Sequence, residues 1–395
     1  MQSERDSQRG LTPLPNSSFQ PLPVLRNFKT STTATMARLK LDTALTVMGA
    51  VTFLLIWGGI MVVKGTLMTM LTAAWRGAFL TGAPLQTVYT GILPVDFLFR
   101  FLMTMFAPLT HLGFISGYLM LAELTVMILV FNMIAIAESK RADGSSMLRF
   151  PLFWNTGYNW VGVAVAQPFF ARSYVRLDEH KRVQPLPRAY ALALPFTTIL
   201  NWATILFMLV PAWTSLPTVQ AHRVIVLYFF PGPLIILGFQ ALVTRLLTAR
   251  PKALSSITNP VSAAYVLNGI ISTAAHLAIL YWTVTAPDAG LRRSYVPDFA
   301  AVQPGAVDTC YEGTHLFIQI DVIVTALVVL ILGAVMLADA RRAHKGADGA
   351  AAATAGGSFV VLLVMSLVLG PGAGMAYAAY AKERSLEQAA AVKNL

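Results

Sequence analysis

The feature that most constrains this chain is a succession of apolar runs, each about as long as a bilayer is thick. A helix needs about 20 apolar residues to cross the hydrocarbon core. Inside lipid every backbone polar group must find its partner within the fold, which leaves helices for segments of this length. The runs are Thr43–Val63, Ile92–Thr110, Leu112–Ala137, Leu148–Ala171, Ala189–Thr214, Val224–Thr244, Pro260–Val284, His315–Leu337 and Ser358–Tyr380. The expected fold is all-α, a polytopic transmembrane helical bundle of about eight or nine spans forming a single domain over residues 41–380. Gly65–Gly91 is only moderately apolar and reads either as an amphipathic segment or as a re-entrant piece.

The segments between the runs support the same class. Charged residues make up 12% of the chain and hydrophobic residues 56%, against about 25% charged in a soluble domain. The net charge of +11 raises the question of nucleic acid. The basic residues sit in the short segments between apolar runs, which is the pattern that orients helices in a bilayer. No basic face on a soluble element accompanies them, so nucleic acid is not an expected partner. Cys310 is the only cysteine, which excludes an intrachain disulfide and a cysteine-based metal site. Residues 1–40 are polar, rich in Ser, Thr and Pro, and read as a disordered tail. Residues 285–314 form a long internal loop, 338–357 an Ala/Gly-rich linker, and 381–395 a polar C-terminal tail.

Ionisable groups inside a span are costly and usually face the bundle interior, so the acids carry the functional reading. Asp96 lies four residues before Arg100, a spacing that allows a pair on one helix face. Glu123, in LMLAELTVM, has no base within a turn. An isolated carboxyl of that kind can act as a general acid. Glu138 ends its run and is followed by Ser139, Lys140 and Arg141, at a helix C-terminus where a negative charge opposes the dipole. Asp321, in HLFIQIDVIVT, is the strongest candidate. His276 reads as a helix–helix hydrogen bonder. The purely structural readings are an ion pair for Asp96, a neutral side chain hydrogen-bonded to a neighbouring helix for Glu123, and a solvated interface residue paired with Lys140 or Arg141 for Glu138.

The stretch Val130–Phe170 adds a polar and aromatic face. Trp154, Asn155, Tyr158, Asn159, Trp160, Gln167 and Pro168 lie in one apolar run, more than an anchor needs. Trp154, Asn155, Tyr158, Asn159 and Trp160 are the candidate substrate-binding residues, since aromatic faces stabilise cations where water is excluded. No P-loop, GxGxxG or GxSxG is present, and no close pair of metal ligands such as HExxH or DDxxD. No metal and no cofactor is expected.

Four stretches resemble the fungal integral-membrane terpene cyclases of meroterpenoid biosynthesis. They are Val95-Asp96-Phe97 through Pro108, AESKR at 137–141, FPLFWNTGYNWVGVAVAQPFF at 150–170, and Gln319-Ile320-Asp321. The chain departs from the family pattern at Thr110-His111-Leu112-Gly113, where an acid followed by glycine is expected. The resemblance implies a lipophilic prenylated substrate with a farnesyl-type, sometimes epoxidised, chain. It implies acid-initiated, metal-independent cyclisation in the endoplasmic reticulum membrane, with other membrane enzymes of the pathway as partners. Under it Asp321 or Glu123 is the acid, and Glu138 and Asp96 are accepting or supporting groups. Two other classes stay open: a transporter or exporter of a lipophilic metabolite, and a non-catalytic accessory protein of a biosynthetic complex.

Overall fold

The computed structural model describes residues 32–142, 146–214, 216–229, 231–249, 259–287, 289–345 and 351–393. The expected disordered tail falls outside these residues up to position 31. From Thr32 the chain is already helical.

Helix α1 (Thr32–Phe53) continues as a π-helix over Leu54–Val63 and runs from what we term the near end of the bundle to the far end. Helices α2 (Thr66–Arg76) and α3 (Leu93–Phe106) cap the far end. Helix α4 (Ile115–Ser139) returns to the near end. It is apolar on all sides, and the whole of its span is buried, as expected for a helix packed all round. Helices α5 (Pro151–Trp160), α6 (Val163–Arg176) and the single turn α7 (Glu179–Arg182) follow. Then α8 (Arg188–Leu209) runs to the far end, and α9 (Thr218–Phe229) with α10 (Gly232–Thr248) runs back. Helix α11 (Pro260–Thr285) and the short α12 (Leu291–Tyr295) lead to α13 (Thr309–Lys345). Helices α14 (Ala351–Val368) and α15 (Pro371–Lys393) complete the bundle.

The near end is fixed by polar contacts between distant parts of the chain. Arg38 donates to the carbonyls of Val175 (2.8 Å) and Leu177 (2.7 Å). Asp42 pairs with Arg172 (2.9 Å) and Arg176 (2.6 Å). At the far end Trp213 lies against Trp282, with ring centroids 4.5 Å apart, and Cys310 contacts the carbonyl of Thr104.

Five helices are long and apolar enough to cross a membrane, and α9 with α10 makes a sixth if the pair, bent by 46°, counts as one span. Three of the nine runs read from the sequence therefore do something else. Ile92–Thr110 gives the 14-residue α3, about 21 Å long and too short to cross alone. The runs Leu148–Ala171 and Ser358–Tyr380 each fold into an antiparallel helical hairpin that starts and ends at the near end. In the first, Trp154 packs edge-on against Phe170 (5.5 Å), and the Tyr158 hydroxyl lies beside the Gln167 side chain. In the second, Leu362 on the way in and Ala378 on the way out both abut Gly333. The tips are Gly162 (φ +98°) and Gly370 (φ +95°). Only glycine adopts this backbone without strain, so each glycine breaks what would otherwise be one helix. Apolar content does not distinguish such a hairpin from a span. The expected linker at 338–357 is largely the end of α13 and the start of α14, with 346–350 outside the described residues. The expected C-terminal tail is helical to Lys393.

With both hairpins returning to the near end, the basic residues separate sharply. Among described side chains, only Lys64, Arg76, Arg100, Arg223, Arg292 and Arg293 belong to the far end. The near end holds the rest, including Arg38, Lys140, Arg149, Arg188 and Arg245.

Candidate active site

Asp321 lies near the middle of the span of α13, 1% exposed. Its Oδ1 accepts the N–H of Ala164 at 2.8 Å, and the N–H of Val163 is also directed at the carboxyl. The carboxyl therefore caps the N-terminus of α6, where free N–H groups and the helix dipole favour an oxygen acceptor. Gly162 makes this approach feasible. A Cβ there would lie 3.2 Å from Asp321 Oδ1 and 3.1 Å from Phe317 Cζ.

An interior cavity opens beside this cap. It is small, with a volume of about 30 Å³. Asp321 lines it together with Tyr158, Asn159, Phe106, Phe317 and Tyr228, and α4 contributes Leu121, Leu124, Thr125 and Ile128. One ionisable acid thus faces an apolar chamber with aromatic rings on several sides. Tyr158 and Gln167 are buried, and their polar side-chain atoms lack a well-formed hydrogen bond. Buried polar groups in that condition are where a water or a ligand is expected.

The other three candidate acids do not reach this cavity. Glu123 lies on the opposite side of α4 from Leu121, Thr125 and Ile128, as the helical repeat requires. It is not isolated: both carboxyl oxygens face His276 Nδ1, at 2.9 and 3.1 Å. Glu138 is not a solvated interface residue either. It is buried and pairs with Arg141 (2.7 Å) and Lys382 (2.8 Å), while Arg141 also holds Glu383 (2.7 Å). Removing one partner from such a network leaves an uncompensated buried charge, so Glu138 reads as the core of a clamp joining α4 to α15. Asp96 does not pair with Arg100, whose guanidinium is directed at the Ala74 carbonyl. It accepts from the backbone of Tyr89 (3.0 Å), Thr90 (2.7 Å) and Gly91 (3.1 Å) and from the Thr90 hydroxyl (3.0 Å). Burial works against its charge, but these donors outweigh it and hold the carboxyl below its usual value.

The aromatic and amide residues divide between cavity and scaffold. Tyr158 and Asn159 line the cavity. Trp154 donates to the Met147 carbonyl (3.1 Å) and packs on Phe170, fixing the base of the first hairpin. Asn155 is buried in the same hairpin, with both amide atoms lacking a hydrogen bond. Trp160 ends α5 next to the glycine tip. Phe106 and Phe317 do not stand out in the sequence, whereas Tyr228 does, in the aromatic cluster that precedes the Pro-Gly-Pro break at 231–233. Phe317 had a readable signal, being one helical turn before Asp321 and so on the same face. His111, at the position where an acid was expected, accepts from the Gly113 N–H (3.0 Å) and caps a turn. Among the described residues no group of three or more His, Cys, Asp or Glu is placed to hold a metal ion.

The sequence matches the CtvD domain over residues 39–386. The chain belongs to this family. Two curated relatives are named terpene cyclase DEP1. The one from Fusarium langsethiae is 25% identical over 318 residues, covering 76% of this chain and 87% of the relative. The one from Alternaria brassicicola is 24% identical over 332 residues, covering 77% and 88%. These matches place the chain in a fungal terpene cyclase family. No solved structure matches it.

Proposed function

We propose that the protein is a membrane-bound terpene cyclase that protonates and cyclises the farnesyl-type chain of a meroterpenoid, with Asp321 as the acid. The observation that carries this reading is that Asp321, alone of the four candidate acids, faces a cavity, and that this cavity is walled by aromatic rings. Support for the class comes from the relatives named terpene cyclase.

With Oδ1 held by the Ala164 N–H, the acid presents its proton on the other oxygen. The π electrons of a terminal alkene take that proton and leave a carbocation at the more substituted carbon. With an epoxide, the ring oxygen takes the proton, the C–O bond breaks, and a hydroxyl and a carbocation result. A neighbouring alkene of the same chain attacks the cation and closes a ring. Loss of a proton from the last cation restores a neutral product and, once returned to Asp321, the acid. Phe106, Tyr158, Phe317 and Tyr228 offer ring faces to the passing charge, an attraction strongest where water is absent. The space open to a ligand is far below the roughly 300 Å³ at the lower end of ligand pockets. Admission of substrate therefore requires the wall to move, and Tyr228 stands beside the bend between α9 and α10. The cation-rich near end is assigned to the cytosol.

A second reading, carriage of a lipophilic metabolite, draws on the two broken hairpins, since discontinuous helices mark the binding sites of many transporters. One experiment separates the two. Microsomes containing the full chain are given a panel of farnesyl and epoxyfarnesyl phenols, and products are read by mass spectrometry. Cyclised product from wild type and none from Asp321→Asn is the expected result. Unchanged substrate accumulating inside the vesicles would support the carrier. Intact protein that converts no substrate in the panel would end the cyclase reading.

A further inference from the structure

A second hollow, separate from the Asp321 cavity, is a groove of about 1030 Å³ at the near end, between α5, α8 and α10. Its floor is apolar and aromatic, including Phe150, Phe153 and Leu237. Its rim carries Lys140, Arg149 and Arg245, and no acid among the described residues lines it. Several other near-end cations have acid partners: Arg141 and Lys382 hold Glu138, Arg172 and Arg176 hold Asp42, and Arg182 approaches Asp339. Among the described residues, no carboxylate pairs with Lys140, Arg149 or Arg245. Two of the three are instead held over rings of the groove. Lys140 Nζ sits 5.0 Å from the centre of Tyr190, and the Arg149 guanidinium 4.4 Å from that of Phe150. The cations are thus kept beside the apolar floor rather than extended into water, at the ends of α4 and α10 and the start of α5. In a membrane-embedded bundle that is the level at which headgroups meet acyl chains.

We infer that this groove is a binding site for an anionic phospholipid. Lys140, Arg149 and Arg245 take the headgroup phosphate and its added negative charge, and an acyl chain lies along Phe150, Phe153 and Leu237. The match is one of charge and shape together: three cations without a carboxylate partner among the described residues, above a hollow too apolar for a free ion. Gln240, which also lines the groove, is engaged by the Tyr190 carbonyl (3.1 Å) and by Thr197, so recognition falls to the three cations. The site is distinct from the catalytic reading. Thr156 and Gly157 of α5 face the groove while Tyr158 and Asn159 face the cavity.

The full chain, purified in neutral detergent, is titrated with phosphatidylserine or phosphatidylcholine, and lipid adducts are counted by native mass spectrometry. Each basic residue near a membrane surface contributes about 1 kcal/mol toward anionic lipid. Wild type should therefore prefer phosphatidylserine by about 100-fold, and each of Lys140→Gln, Arg149→Gln and Arg245→Gln should lower that preference about 5-fold. The triple variant should lose it, while Lys64→Gln and Arg292→Gln at the other end keep it. Single variants that elute and melt like wild type guard against misfolding of the triple. Three results would each overturn the inference: equal binding of the two lipids by wild type, an unchanged preference in the triple variant, or full competition by inorganic phosphate, which would make the groove an ion site without a tail.

Discussion

The two helical hairpins use one device for different ends. Each enters from the near end, breaks at a glycine with positive φ, and returns. Each tip meets a buried polar group on a full-length helix: Gly162 at Asp321 of α13, and Gly370 against His276 of α11, which holds Glu123 of α4. The two acids also share a depth. Helices α4 and α13 run parallel, with Phe114 against His315 (5.2 Å between ring centres). From those anchors Glu123 is about 13 Å along α4 and Asp321 about 9 Å along α13, within one helical turn of each other. What differs is what faces the carboxyl. Glu123 is closed off by an imidazole from the next helix. Asp321 is held only by backbone N–H groups and has a cavity on its open side. Burial of an acid is therefore not enough to mark a site. An unblocked face with room beside it is the distinguishing property.

The largest effect expected from this contrast is on turnover. Asp321→Asn keeps an oxygen to accept the Ala164 N–H, so the cap and the fold persist while the transferable proton is lost. General acid catalysis contributes about 10²- to 10⁴-fold, and product formation should fall by that factor with an unchanged melting profile. Glu123→Gln preserves a hydrogen bond to His276 and should leave turnover near the wild-type level. If Glu123→Gln is the dead variant and Asp321→Asn the active one, the assignment of the two hairpins is reversed.

The second pair concerns stability. His276→Leu leaves the Glu123 carboxyl buried without its partner, a loss of about 3–5 kcal/mol for a broken buried pair. A melting temperature unchanged from wild type would show that the pair does not help to hold α4 against α11. Adding Glu123→Gln to that variant should recover part of the loss, because the stranded carboxyl is then removed.

Third in size are the tips themselves. A side chain at a positive-φ position costs on the order of 1–3 kcal/mol. In Gly162→Ala the new Cβ also presses on Phe317 at 3.1 Å and Asp321 at 3.2 Å, so activity should fall more than stability. In Gly370→Ala it meets His276 Cβ and Cγ at 2.7 Å, so stability should fall more than activity. Parallel thermal melts and microsomal assays on the two variants give the ratio. Equal ratios would mean that the tips are interchangeable scaffold.

The glycines also show where sequence reading runs out. Helical class follows directly from the apolar runs, and Asp321 stands out as an acid inside one. Whether a run crosses or doubles back depends on one backbone torsion at Gly162 or Gly370, and several other glycines lie inside unbroken helices of the same bundle. The pairing of Glu123 with His276 joins residues 153 positions apart, and of Glu138 with Lys382 residues 244 apart. No local spacing reports either. Asp96 misleads for the opposite reason. The interval to Arg100 is right for a pair, but the loop just before α3 offers several donors at shorter range.

That loop supplies the smallest effect and a control for the others. Asp96 sits at the far end, away from both hairpin tips. Its folded carboxyl lies below the unfolded value of about 3.9, because the donors from Tyr89, Thr90 and Gly91 outweigh its burial. A depressed carboxyl contributes stability above the unfolded value, and that contribution is lost as pH falls through the folded one. Asp96→Asn should therefore melt below wild type at neutral pH, and the gap should close as the pH drops below about 4. Turnover at neutral pH should not change, since Asp96 touches neither the cavity nor its walls. A gap that stays constant across the acid range would mean that the loop is held by its shape and not by the charge of Asp96. Lost turnover in a well-folded Asp96→Asn would instead bring the far-end cap into the chemistry, and the contrast between the two hairpins would no longer account for which acid acts.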